Sequence, residues 1–150
     1  MSTTITTETL SAALRAGGVL ADDYNAVSKA VWSQDHLPAA LLDLSRLRLA
    51  QLHGADSELQ LRLENGLEAA KIEALLAGNI STGLFSAAEL AVLDFTEIYA
   101  QDPAAISDDM ADAIKRHFGE AGLVCLVEAL GFIDGRIRLA LMFNALRRTH

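Results

Sequence analysis

The sequence predicts an all-α chain, a compact multi-helix single domain over residues 1–150, and three observations carry that expectation. Ala, Leu, Glu and Arg, which favour helix, supply much of the chain, whereas the aromatic residues that enrich strands amount to five Phe, two Tyr and one Trp. Apolar residues recur at helical offsets between recognisable start and stop signals. The two prolines, Pro38 and Pro103, lie far apart, and no Gly/Ser-rich or Pro-rich stretch reads as a linker. A chain of 150 residues buries enough apolar surface to fold around one core without staples.

The elements follow in order. Thr7 to Arg15 reads as a short helix closed by Gly17 and Gly18, and Asp22 or Asp23 caps a second that runs to about Gln34. Pro38 suits the first turn of a third helix, carried through Leu41, Leu44, Leu47 and Leu52 until Gly54 interrupts it. Asp56 or Ser57 restarts a helix that ends at Asn65-Gly66, and Leu67 to Ala77 forms the next, stopped by Gly78. Ser86-Ala-Ala-Glu89 is a capping box, opening a helix with Leu90, Leu93, Phe95 and Ile98 on its apolar side. Ser107-Asp-Asp starts another, which Gly119 breaks. From Glu120 to about Arg147 the chain is at its most apolar, so this last helix is expected at the centre of the fold, bent near Gly131 or Gly135.

Composition narrows the function. Twenty acidic against twelve basic side chains give a net charge of −8, which repels a phosphate backbone, so no nucleic-acid partner is expected. The longest apolar stretch, Leu123 to Ile133, is broken by Glu128 and Gly131 and is too short to span a bilayer, so no membrane partner is expected either. Met1 to Glu8 is polar and has no basic segment leading into an apolar core, which points to the cytoplasm. With 51% hydrophobic residues the chain is rich in apolar surface, and a homo-oligomer is expected. Cys125, the single cysteine, cannot form an internal disulfide, and its apolar neighbours suit packing better than reactivity. The four histidines, His36, His53, His117 and His150, are not at ligand spacing and no glycine-rich phosphate loop is present, so neither metal nor cofactor is indicated.

One stretch carries a resemblance. Asp43-Leu-Ser-Arg-Leu-Arg-Leu-Ala-Gln-Leu-His-Gly54 resembles the helix that precedes the redox motif in alkylhydroperoxidase D-like and carboxymuconolactone decarboxylase-type proteins. Asn65-Gly66-Leu67 with Lys71-Ile72-Glu73-Ala74-Leu75 is similar to the next turn and helix of that family, and Leu84-Phe85-Ser86-Ala-Ala-Glu-Leu90 to its following helix start. Asp134 to Arg138 is similar to a late Asn-x-x-x-Arg pattern, with aspartate in place of the amide, so the likeness covers roughly residues 37 to 145. The resemblance implies an alkylhydroperoxidase D-like helical fold assembled as trimers or hexamers. It also places Ala55, Glu58 and Arg62 where the family has its two cysteines and its histidine, Asp43 at the relay glutamate and His53 at an asparagine. Disulfide exchange needs a thiolate and a partner thiol, so peroxidase chemistry is not carried over.

Independently of the likeness, Asp43, Arg46, Ala50 and His53 fall on one helical stripe, presenting a carboxylate, a guanidinium and an imidazole toward the next helix start. Asp43, His53 or Glu58 would serve as acid or base, and Arg46, Arg62 and Arg138 would hold an anionic small-molecule substrate. Plainer readings stand beside each: Asp56, Ser57 and Glu58 as helix-start residues, Glu58 with Arg62 as a surface pair, Asp43 with Arg46 as a structural ion pair, and His53 as a helix-end cation. Two functions follow. The first is a cofactor-independent lyase, decarboxylase or isomerase acting on an acidic substrate. The second is a non-catalytic oligomeric binding or scaffold protein with a degenerate site.

Overall fold

The computed structural model describes residues 4–81 and 83–148, the last without its side chain; His150 and the first three residues of the polar start lie outside this range. All regular structure among the described residues is helical. The elements are α1 (Leu10–Ala13), a 3-10 turn (Arg15–Gly17), α2 (Val19–Ser33), α3 (Ala39–His53), α4 (Asp56–Gln60), α5 (Ala69–Leu76), α6 (Ala87–Gln101), a second 3-10 turn (Pro103–Ala105) and α7 (Asp108–Arg148).

Helix α3 is the centre of the molecule, a place the sequence suggested for the last helix. Leu41 to Leu47, together with Leu49 and Ala50, are all buried, and α3 packs against α6, α7, α4, α5 and α2. A helix covered over most of its length has little solvent face to mark with charge, which is why its buried polar members have internal partners. Thr96 of α6 donates to Ser45 Oγ at 3.0 Å, and Gln51 Nε2 donates to Leu75 O at 3.1 Å, tying α3 to α6 and α5.

Local signals explain most boundaries. Ser86 and Glu89 form the expected capping box at the start of α6, and Ser107 Oγ accepts from the Met110 amide at the start of α7. Gly54 adopts φ 64°, with its amide on Gln51 O at 3.1 Å and the Ala55 amide on Ala50 O at 2.9 Å. That pairing is a Schellman stop, and it turns the chain sharply from α3 into α4.

Three expectations change. Helix α2 begins at Val19, ahead of Asp22 and Asp23, because Gly18 at φ 60° turns the chain there and Asp22 lies within the first turn. Helix α4 ends at Gln60 rather than near Asn65, since Leu61 is extended, at φ −69° and ψ 127°, with its carbonyl bonded to Arg46. In α7 the break is at Gly119, at φ 72° and ψ 179°, a region open almost only to glycine, and the 120–148 arm has no non-helical residue at Gly131 or Gly135. Gly122 sits just beyond the break, where a Cβ would overlap the Phe118 side chain.

The 120–148 arm buries Leu126, Leu130, Ile133 and Ile137 against α3 and α6 while leaving Val124, Val127 and Met142 exposed. Near its end, Ile5, Leu10 and Ala140 form a smaller apolar cluster that holds the N-terminal segment. Among the described residues no helix is long and apolar enough to cross a membrane.

Candidate functional site

The turn at Gly54 sends α4 back along α3, so that Glu58 meets Arg46. Arg46 is 1% exposed and the centre of a buried cluster. Its Nε donates to Asp43 Oδ1 at 2.7 Å, Nη1 to Glu58 Oε1 at 2.9 Å and to Glu58 O at 3.0 Å, and Nη2 to Leu61 O at 2.9 Å. Three of the expected site residues, Asp43, Arg46 and Glu58, therefore converge. They do so as a closed ion cluster, with two carboxylates on one guanidinium.

Glu58 is further engaged by the N-terminal segment. The Thr7 amide donates to Glu58 Oε2 at 2.9 Å, and the Thr7 hydroxyl makes a short bond to Glu58 Oε1. The same segment is clamped on either side. Arg136 Nη2 donates to Thr7 O at 2.7 Å, while Asn144 accepts from the Ile5 amide and donates to the Ile5 carbonyl, each at 2.8 Å. Five hydrogen bonds thus fix residues 5–7 against α4 and α7.

His53 and Arg138 form a second group about Asp134. His53 Nε2 pairs closely with Asp134 Oδ1, and Arg138 Nε donates to Asp134 Oδ2 at 3.0 Å from one turn further along α7. Tyr99 lies alongside, for burial and then the Asp134 carboxylate push its phenol pKa up, with Arg138 opposing. This group is partly open to solvent, with Arg138 62% exposed at its side chain.

Arg62 joins neither group. Because α4 stops after Gln60, Arg62 is not one helical turn from Glu58; its Nη1 donates instead to the carbonyls of Leu59 and Leu61, and the side chain is exposed. The expected Glu58–Arg62 pair is replaced by Glu58–Arg46. Ser57 is not bonded to His53, whose Nε2 is committed to Asp134, and it lines a cavity of about 430 Å³ with Ala55, Glu58, Ile137 and Asn144.

Ala55 is 5% exposed and packed in the main core. Cys125, the one sulfhydryl, donates to Gln34 Oε1 at 3.3 Å, the same oxygen that accepts the amides of His36 and Leu37. Burial, and then the nearby Glu128 carboxylate, push its thiol pKa up, so it is a packing residue of the α2–α3 connection and a poor nucleophile at neutral pH.

Among the described residues no group of three or more His, Cys, Asp or Glu side chains is placed to hold a metal. The residues that sequence reasoning passed over are Thr7, Arg136 and Asn144. Thr7 lies 51 positions from Glu58, and Arg136 lies 129 from the Thr7 carbonyl that it bonds; nothing local in either stretch marks those pairings. Comparison with known proteins gives no match to any family model, curated protein or solved structure.

Proposed function

We propose that this chain is a non-catalytic, self-associating small-molecule-binding protein on an alkylhydroperoxidase D-like helical frame. The observation that carries the reading is the state of Glu58, which stands at the place of the family's second cysteine. Both of its oxygens are bonded inside the protein, to Arg46 and Thr7, and the residue is 3% exposed. A general base must be free to take its substrate's proton, whereas this carboxylate is committed to the fold, with Oε1 on the Thr7 hydroxyl and Arg46 and Oε2 on the Thr7 amide. Asp43 is 1% exposed and bonded to Arg46, which supports the same conclusion for the relay position. Val19, Leu20, Val124, Val127 and Met142, all more than 45% exposed, support burial against further copies of the chain, as trimers or hexamers.

A second reading is favoured by His53. An imidazole fixed through Nε2 by a carboxylate is the arrangement that orients a general base, and the group is reachable from solvent. In that reading the chain is a cofactor-independent lyase, decarboxylase or isomerase in which Arg138 holds an acidic substrate.

One experiment separates them. Wild type, Asp43→Asn, Glu58→Gln and His53→Gln are assayed on a panel of acidic lactones and keto acids. The binding reading expects no turnover by any of them. Turnover abolished by His53→Gln alone would establish the second reading, and turnover abolished by Asp43→Asn or Glu58→Gln would overturn the account of the buried cluster.

A further inference from the structure

A second cavity, also of about 430 Å³, opens beneath the N-terminal segment, between α2, α3, the 61–68 segment and the 120–148 arm of α7. Trp32, Arg46, Asn65, Ile133 and Arg136 line it, and Glu8 and Glu64 stand at its mouth. It shares no lining residue with the cavity beside Ala55 and Ser57.

Two polar groups in this lining are incompletely matched in the fold, one in charge and one in hydrogen bonding. Arg136 is 4% exposed, with its guanidinium 5.5 Å from the Tyr24 ring centre and 5.8 Å from that of Phe132. Apart from the bond to Thr7 O, its contacts with Asn25 Oδ1 and Ser11 Oγ are at 3.5 Å, the limit of a hydrogen bond. Among the described residues no carboxylate lies within ion-pairing distance of it, so a buried cation stands without a directly paired counter-charge. Burial pushes its pKa down, against the opposing fields of Tyr24 and Glu58. Asn65 presents the second group. Its Oδ1 accepts from the Leu67 amide at 3.1 Å, while its Nδ2 is buried and has no hydrogen-bond partner.

A buried guanidinium lacking a paired anion asks for negative charge and a buried amide lacking an acceptor asks for an oxygen; a carboxylate in the cavity that both residues line offers each. The indole of Trp32 and the side chain of Ile133 supply an apolar wall. The carboxylates of Glu8 and Glu64, both exposed, set a limit at the mouth, since a second negative charge on the ligand would face them. The volume falls within the range of small-molecule sites.

We propose that this cavity binds a small aromatic monocarboxylate, its carboxylate on Arg136 and Asn65 and its ring against Trp32 and Ile133. The proposal rests on the binding reading above and names the ligand class for it. Arg46, already balanced by Asp43 and Glu58, contributes the edge of the site rather than its charge.

The test is calorimetric titration of the full chain with benzoate, phthalate, acetate and inorganic phosphate, alongside ligand NMR. Saturable benzoate binding is expected, with phthalate, acetate and phosphate each at least tenfold weaker. Asn65→Asp keeps the oxygen that accepts the Leu67 amide while replacing the donor by negative charge, so it should fold normally and weaken benzoate at least tenfold. Glu64→Gln, an exposed change, should narrow the gap between benzoate and phthalate. Absence of saturable benzoate binding, benzoate affinity unchanged in Asn65→Asp, or phosphate or acetate binding as tightly as benzoate would each overturn the site. The two readings fail separately. Saturable neutral ligands with benzoate silent would sink this site and leave the binding reading standing, whereas chemical conversion of a carboxylate bound here would sink the non-catalytic reading and leave the site.

Discussion

Glu58→Gln tests the buried cluster most directly, because it changes charge and one acceptor while leaving volume nearly constant. In the wild type the carboxylate takes the Thr7 amide on Oε2 and both the Thr7 hydroxyl and Arg46 Nη1 on Oε1. Glutamine has one acceptor oxygen. If its oxygen faces Arg46, its amide nitrogen meets the Thr7 N–H, donor against donor; if it is flipped, the nitrogen meets the guanidinium. Either way a buried donor loses its partner, and Arg46 keeps Asp43 as its only counter-ion within bonding distance. Removing one partner of a buried ion pair costs about 3–5 kcal/mol, against about 1 kcal/mol or less at the surface. For a domain of this size each kcal/mol shifts the melting temperature by about 2–4 °C, so Tm should fall by about 6–20 °C. Urea unfolding followed by circular dichroism measures the loss, and amide exchange at Thr7 should rise toward that of an open terminus. A loss below about 1 kcal/mol with Thr7 still protected would refute the reasoning, since the cluster would then be no more than a solvated pair.

Two further expectations test other parts of the fold. Gly122→Ala places a methyl against Phe118 at the closed angle of α7 and should cost about 1–3 kcal/mol, whereas Gly131→Ala, exposed in the same helix with its nearest atom the Tyr99 hydroxyl at 3.8 Å, should stabilise by about 0.5–1 kcal/mol. Denaturant midpoints that move the same way for both would refute that account. Glu89 gives a pH dependence: burial raises its pKa, but the Ser86 amide, the Lys71 ammonium at 3.0 Å and the Ser86 side chain outweigh this and hold it below the ordinary glutamate value. A lowered carboxyl contributes stability that is complete above the ordinary glutamate pKa and is lost as pH falls through the folded value, so the gap between wild type and Glu89→Gln should close on acidification below the glutamate range. A gap that stays constant from neutral to acid pH would show that the charge on Glu89 contributes nothing.

What the sequence revealed was what local chemistry decides. Ser86 with Glu89, Ser107, Gly54 and Gly78 each set a helix end from within a few residues, and each sits in the structure where that signal places it. The stripe of Asp43 and Arg46 was equally readable, because an offset of three on a helix fixes their encounter. The early stop of α4 was not, for it depends on Arg46 taking Leu61 O, a contact 15 residues away that leaves Leu61 extended. Once α4 ends at Gln60, Arg62 leaves the site, and no periodicity in the 56–65 stretch announces it. Arg136 was hidden for the opposite reason. In an apolar helix it reads as one charged residue among several, and only the return of Thr7 across 129 positions shows that it faces inward.

The N-terminal segment joins the two candidate regions into one physical problem. Thr7 gives its amide and hydroxyl to Glu58 and its carbonyl to Arg136, so a single residue stands between an ion cluster that is internally complete and a guanidinium that is not. Charge is distributed unequally across it: Arg46 has two carboxylates within bonding distance, while Arg136 has aromatic faces and one strong neutral acceptor. Asp43 pairs Arg46 Nε and Glu58 pairs Nη1, so both carboxylates stabilise the buried guanidinium, and Glu58 alone also reaches Thr7. Its second role is positional. Glu58 fixes Thr7, and Thr7 in turn fixes the roof of the cavity that Arg136 and Asn65 line. On the proposed binding reading Glu58 would act on the ligand through geometry rather than through proton transfer, and the same Glu58→Gln change that lowers stability should also weaken benzoate binding beneath Thr7.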